Sequence, residues 1–266
     1  MKQRILSHLP QNHPWAGHIH YFDAIGSTND EAKARAASGA PHGTVVIARQ
    51  QTGGRGRMGR SFHSPAGLGI YLSVILRPEC APAVLMHLTC AAAVAMCDAV
   101  EAAAGFRPGI KWTNDLVSGK RKLGGILTEL SLNANGTVNY AVVGIGINCL
   151  HTPDDFPEEL RDMAGSLSMV AGECVEPSRV AVAMIDALYH MDQSLLTRKT
   201  AIMDRYRADC ITLGKDVSIH RFEEVRHGTA VSIDDEGALL VRFPDGHTEA
   251  IAAGEVSIRG MYGYVN

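Results

Sequence analysis

The chain has 266 residues, 46% apolar and 20% charged, with a formal net charge of -3 and a pI near 6.4. These values describe an ordinary globular protein: one large domain, or a main domain with a small appendage. They argue against a protein that coats nucleic acid or an anionic membrane with its whole surface, and leave room for a local basic site.

Residues 1–20 are polar and contain Pro and His, and are expected to form a lead-in strand or an ordered arm. No apolar stretch of signal-peptide length occurs there. Ser27-Thr28-Asn29-Asp30-Glu31 opens a helix, with a hydroxyl at the N-cap and acids in the first turn. Thr44 to Ala48 predicts a buried strand, and a Gly/Arg-rich loop follows at 52–60. Gly69 to Leu76 predicts a second strong strand. Residues 82–104 form the longest predicted helix. The apolar run around it holds Pro82, His87, Asp98 and Glu101, so it reads as a core helix and not a membrane span. Short strands are predicted at 110–112 and 115–117. Leu123–Ser131 and Tyr140–Asn148 read as a strand pair joined by Asn133-Ala134-Asn135-Gly136. Residues 151–176 are a polar excursion with a short helix, and 178–209 carry helical spacing. After Gly214 the texture changes to short strand-like runs divided by Gly- and Asp-containing turns, which predicts a small barrel. The expected division is 1–214 and 215–266.

Six scattered cysteines (Cys80, Cys90, Cys97, Cys149, Cys174, Cys210) form no CxxC pair and read as small apolar residues in a reducing compartment. The twelve histidines form no HxH or HExxH pattern. A cytoplasmic protein without a membrane partner or a tightly bound metal is expected.

The most unusual stretch is Gln51-Thr-Gly-Gly-Arg-Gly-Arg-Met-Gly-Arg60. Gly54 and Gly56 let a backbone approach a ligand, and Arg55, Arg57 and Arg60 supply forked donors for carboxylate and phosphate oxygens. The plain alternative is a solvated basic turn. No Gly-Lys-Ser/Thr follows, so it is not a Walker loop, and the strand–helix setting of a dinucleotide fingerprint is missing. Lys111-Trp112-Thr113-Asn114-Asp115 packs a cation, an aromatic, an amide and a carboxylate together; it is either a ligand contact or a capped turn. Lys122 precedes Gly124-Gly125 at a strand start, which suits a lysine reaching a ligand on the sheet or a basic hairpin with a bulge. Gly144 and Gly146, two apart, clear one side of a strand for a slot or for packing.

In this order the strings resemble the biotin protein ligases. They are Ser27-Thr-Asn29, the arginine loop, Lys111 to Asp115, Arg121 to Leu127, Val143-Gly-Ile-Gly-Ile-Asn148 and the tail Gly254-Glu-Val-Ser-Ile-Arg259. Coverage runs from about residue 20 to 260. The resemblance implies an α+β catalytic domain, a mixed β-sheet with helices packed on one face, and an SH3-like C-terminal barrel. It implies ATP and Mg2+, biotin as substrate, biotinyl-5′-AMP as intermediate, and transfer to a lysine of a biotin carboxyl carrier protein domain of a carboxylase or decarboxylase. Ser27, Thr28, Asn29 and Gln51 would meet the ureido ring. Gly125, Gly144 and Gly146 would form the slot. Arg55 and Arg57 would hold the carboxylate and phosphate, with Gly54 and Gly56 allowing close approach. Lys122 would clamp charge electrostatically, assisted by Arg57 and Lys111. Arg60, Phe62, Asn114 and Asn148 would attend ATP, and Asp115 would touch magnesium. In the barrel, Glu255 and Arg259 would face ATP or the carrier, or the barrel would simply stabilise the main domain.

Thr113 stands where the family has proline, and Phe62 where tryptophan is common. Only about 20 residues precede the catalytic region, too few for the winged helix-turn-helix of the repressor relatives. A ligase without operator binding, monomeric or homodimeric, is therefore expected. A lipoate or octanoate ligase is the nearest rival. A non-catalytic sensor fits less well because Arg55, Arg57, Lys111 and Lys122 are all present. A nucleic-acid module fits least, given Glu223, Glu224, Asp234, Asp235 and Glu236 in the tail.

Overall fold

The computed structural model describes residues 1–221, 224–252 and 257–260. Its centre is a seven-stranded sheet: β1 (Ile19–Phe22), β2 (Thr44–Ala48), β3 (Gly69–Leu76), β4 (Gly109–Lys111), β5 (Asp115–Ser118), β6 (Arg121–Leu132) and β7 (Val138–Asn148). The order across the sheet is β1-β2-β3-β7-β6-β5-β4. Only the β1–β2 pair is parallel, which makes the sheet mixed as expected.

Strands β2 and β3 are buried at every position. An unbroken apolar run fits a strand covered on both faces. One face carries most of the helical layer: α1 (Lys2–His8), α3 (Leu88–Ala104), α4 (Leu167–Ala171), α5 (Pro177–Ser194) and α6 (Lys199–Asp209). Helix α3 is buried on nearly all sides and ends on Gly105 at φ +74, where a left-handed cap favours glycine. The apolar run expected to stay inside the protein does so. The other face carries a single helix, α2 (Thr28–Ala37). Its Ala32 and Ala36 pack on Val46, Ile75 and Val142, a cluster separate from the main core. The site lies on this side of the sheet.

The lead-in segment differs from the expected strand or arm. Ile5 and Leu9 sit one helical turn apart and are buried, and α1 packs on α5. Two apolar residues are too short a pattern to read as a helix period. The helical run 178–209 is broken between α5 and α6. His87, 1% exposed, places Nε2 3.0 Å from the Leu195 carbonyl and satisfies a backbone group that a continuing helix would have used.

From Asp216 onward come β8 (Asp216–Arg221), β9 (Glu224–Ile233), β10 (Leu239–Arg242), β11 (Thr248–Ile251) and β12 (Ser257–Gly260). They form an antiparallel sheet in the order β11-β10-β9-β8-β12, consistent with the SH3-like fold expected. The turn between β9 and β10 packs on the larger sheet: Trp112 Nε1 donates to the Gly237 carbonyl at 2.9 Å. Arg207 of α6 donates to the Ile233 carbonyl at 2.6 Å and pairs with Asp235.

Candidate active site

Above the α2 face of the sheet lies a cavity of about 500 Å3. It is lined from α2, the arginine loop, the β4–β5 turn, β6 and β7. The predicted motifs between Ser27 and Asn148 each contribute, although they are spread over more than a hundred residues of chain; the side chains of the tail string 254–259 lie outside the described residues.

The glycines explain how. Gly144 and Gly146 face the same side of β7, as their spacing predicts. A Cβ on Gly144 would stand 1.8 Å from Asn29 Oδ1, and one on Gly146 would stand 2.4 Å from the Phe62 ring. The bare backbone thus admits Asn29 and Phe62 to the sheet. Gly125 is the register partner of Gly146 on β6. A Cβ there would approach Lys122 Cε and Nζ at 3.4 Å and Asp115 Oδ1 at 3.5 Å. Asp115 sits opposite Gly125 on β5, and its carboxylate meets the Lys122 ammonium at 2.6 Å. Asn29 therefore lies over Gly144, whereas Lys122 and Asp115 lie beside Gly125. Two strand residues separate these positions, about 7 Å.

The α2 end is a chain of neutral groups. Thr28 gives its backbone N–H to Gln51 Oε1 at 2.9 Å, and its hydroxyl lies 3.1 Å from the same oxygen. Gln51 Nε2 donates to Ser64 Oγ at 3.1 Å. Gln51 thereby satisfies an N–H at the start of α2. Ser27 occupies the N-cap position, but its side chain makes no capping bond and lines the cavity instead. Ser73 Oγ on β3 lies 2.6 Å from Asn29 Oδ1 and 2.8 Å from Thr28 Oγ1. Sequence reading missed Ser73: it sits in a fully apolar-looking strand, and only the approach of α2 gives it partners.

The opposite end is cationic. Arg57 Nη1 donates to Asn114 Oδ1 at 3.1 Å, and Asn114 Nδ2 donates to the Ile126 carbonyl at 2.7 Å. Burial lowers the Arg57 guanidinium from its ordinary value, with Asp115 opposing; a guanidinium remains charged in any case. Lys111, Arg60 and Phe62 line the same space. Met58 follows Arg57 at φ +55 and is 61% exposed, at the tip of the loop.

Several predicted residues are placed differently. Arg55, expected to hold ligand anions, lines the cavity but has its guanidinium bound by Asp30 at 2.5 Å and Glu129 at 2.9 Å. Gly54 lies outside the lining; a Cβ there would stand 2.4 Å from the Phe62 carbonyl, so it serves the close crossing of the loop. Asn148 also lies outside, buried, with Nδ2 donating to the Gly165 carbonyl at 3.0 Å. Met163, which sequence reading did not single out, reaches the lining because Lys122 N–H donates to its carbonyl at 2.7 Å. Nothing in the acidic excursion signals this. Asp115 offers a single carboxylate, and no group of three His, Cys, Asp or Glu able to hold a metal ion occurs among the described residues. Glu255 lies outside the described residues, and Arg259 is on β12 with its side chain outside them.

Residues 21–148 match the biotin/lipoate A/B protein ligase family, and residues 212–259 match the biotin protein ligase C-terminal domain. The bifunctional ligase/repressor BirA of Bacillus subtilis is 37% identical over 230 residues, covering 86% of this chain and 70% of that protein. The biotin–[acetyl-CoA-carboxylase] ligase of Paracoccus denitrificans is 34% identical over 238 residues, covering 88% of this chain and 98% of its own. Among solved structures, a biotin protein ligase from Aquifex aeolicus in complex with biotin and ATP has a TM-score of 0.77 at 25% identity. The match covers 91% of this chain and 99% of that one.

Proposed function

The chain belongs to the biotin protein ligases, and from that premise we propose that it adenylates biotin and passes the biotinyl group to a carrier-protein lysine. The biotin carboxylate attacks the α-phosphate of ATP, and pyrophosphate leaves. The carrier amine then attacks the acyl carbon of biotinyl-5′-AMP, and AMP leaves.

The observation that carries this reading is one cavity with a neutral hydrogen-bonding end and a cationic end. Ser27, Thr28 and Asn29 suit a ureido ring, which offers both donors and an acceptor. Gly144 and Gly146, expected to form the slot themselves, instead seat Asn29 and Phe62, and the lane beside those two side chains suits the bicyclic body and valeryl tail. At the far end a carboxylate and a phosphate must approach although both are anions. Lys122, Arg57 and Lys111 offset that repulsion, and the effect is largest where charge builds up in the transition state. Lys122 is assigned as a fixed electrostatic clamp aimed by Asp115, and not as a nucleophile. Phe62 and Asn114 are assigned to the adenosine and phosphate side. The Mg2+ that accompanies ATP would neutralise phosphate charge. Asp115 suits one position of its oxygen shell, with phosphate oxygens and water supplying the rest. Closure of the arginine loop would keep water from the anhydride.

The carrier is assigned as a biotin carboxyl carrier domain, the class to which the Paracoccus relative's name points. The Bacillus relative is named a repressor as well as a ligase. Here the residues ahead of β1 form one seven-residue α-helix and a short 3-10 turn, not a helix pair with a wing. Ligation is the activity assigned to the described residues.

Biotin-dependent exchange of labelled pyrophosphate into ATP, run beside lipoate and octanoate, tests the first half-reaction. Exchange with biotin alone is expected. Exchange with lipoate in its place would keep the mechanism and change the substrate, and no exchange by folded protein would overturn the assignment.

A further inference from the structure

Glu129, on β6, does not line the cavity. Its two oxygens nevertheless reach both parts of the site that must act together. Oε2 accepts from Asn29 Nδ2 at 2.9 Å. Oε1 accepts from Arg55 Nη2 at 2.9 Å and from Lys33 Nζ at 2.8 Å. Asp30 closes the cluster, meeting Arg55 at 2.5 Å and Lys33 at 3.0 Å. Burial alone would raise the Glu129 carboxyl, but Lys33, Asn29 and Arg55 outweigh it and hold the group below its ordinary value. At neutral pH the group is a carboxylate that only accepts.

That charge settles the direction of the neutral chain at the α2 end. Asn29 must turn its amide nitrogen toward Glu129, and its second N–H goes to the Leu127 carbonyl at 3.2 Å. Asn29 Oδ1 is left facing Ser73 and accepts from that hydroxyl at 2.6 Å. Ser73 has one hydrogen, so toward Thr28 at 2.8 Å it can only accept. The Thr28 hydroxyl then points at Ser73 Oγ or Gln51 Oε1. The orientation of the Asn29 amide and of the Ser73 hydroxyl follows from the sign of Glu129.

We propose that Glu129 is a positioning residue for biotin. One oxygen fixes the polarity of the hydrogen-bond chain at the head-group seat; the other ties the arginine loop, through Arg55, to that seat. The inference rests on the biotin-ligase reading above. Arg55 is then a strut of the loop, and phosphate contact falls to Arg57. A ureido ring binds where its donors and acceptor find complementary partners, and a reversed amide would leave buried groups unpaired.

The test uses the full chain with Glu129→Gln, Arg55→Ala and the double variant. Biotin binding is read by calorimetry, and KM for biotin and for ATP by pyrophosphate exchange. Glu129→Gln removes the charge but keeps the shape, and lets residue 129 donate. It is expected to raise KM for biotin roughly 10- to 100-fold while KM for ATP moves less than about threefold. Arg55→Ala is expected to raise KM for biotin by roughly 3- to 10-fold, and the double variant by less than the product of the two. Unchanged KM for biotin in Glu129→Gln, or fully multiplicative effects, would overturn the proposal. If Glu129→Gln does not fold, Arg55→Ala still decides: a raised KM for ATP with unchanged KM for biotin sinks it. Failure of the unaltered chain to bind biotin would remove the ligase reading itself, and is seen before any variant is compared.

Discussion

Lys122 and Asp115 meet at 2.6 Å although they are not register partners: Asp115 stands opposite Gly125, and Lys122 opposite Val117. The ladder is irregular between Leu116 and Val117, and Gly125 has no side chain to bar the lysine's path. The pair holds an ammonium flat against the sheet at the cationic end of the cavity. Lys122→Met is expected to cut biotin-dependent pyrophosphate exchange roughly 100-fold or more, with biotin binding nearly intact. Asp115→Asn is expected to cost about tenfold, because Lys122 loses its aim. A Lys122→Met enzyme with wild-type exchange would end the clamp assignment.

Gly144 and Gly125 allow a contrast between the two ends. A methyl at Gly144 meets Asn29 Oδ1 at 1.8 Å, and Asn29 is 4% exposed and bonded on both sides. Gly144→Ala is expected to lower biotin affinity by roughly tenfold or more and stability by about 1–3 kcal/mol. At Gly125 the nearest neighbour is the flexible end of Lys122 at 3.4 Å. Gly125→Ala is expected to slow exchange a few-fold with biotin affinity retained. Calorimetry and exchange rates together read the difference, and equal behaviour of the two variants would contradict the two-ended cavity.

Trp112 joins the two sheets. Its indole N–H is the donor to the Gly237 carbonyl, and Trp112 is among the residues lining the cavity. Trp112→Phe keeps an aromatic ring but leaves that carbonyl without its partner, at an expected cost of about 1–3 kcal/mol in denaturant unfolding. KM for ATP is expected to rise more than KM for biotin. The opposite order would show that the β9–β10 turn does not support the nucleotide side.

His151 predicts a pH dependence of stability. It is 1% exposed, stacks on Phe156 at 4.8 Å, and neither ring nitrogen meets hydrogen-bond geometry with a protein atom. Burial pushes its pKa down to about 4. The unfolded chain takes the proton near pH 6.5, the folded protein only near 4. Stability from this group is full above pH 6.5 and is lost as pH falls toward 4, by roughly 3 kcal/mol at pH 4. His151→Phe is expected to flatten the dependence, read as unfolding midpoints between pH 7.5 and 4.5. An equally steep dependence in the variant would assign it to other groups.

The order of the short strings in the sequence determined the reaction class, and the density of apolar runs determined most strands and the buried helix at 88–104. These features are local: periodicity reports burial, and glycine reports that a Cβ is excluded. What fills the space beside a glycine is a through-space fact. Only the tertiary structure placed Asn29 over Gly144 and Phe62 over Gly146. It placed α2 alone on the site face, made Gln51 rather than Ser27 the partner of an α2 N–H, and brought Ser73 and Met163 to the cavity region. It also turned Arg55 to two acids 25 and 74 residues away. An arginine carries five donors and bonds whichever acceptors folding brings near, so its residue type alone does not select its partner.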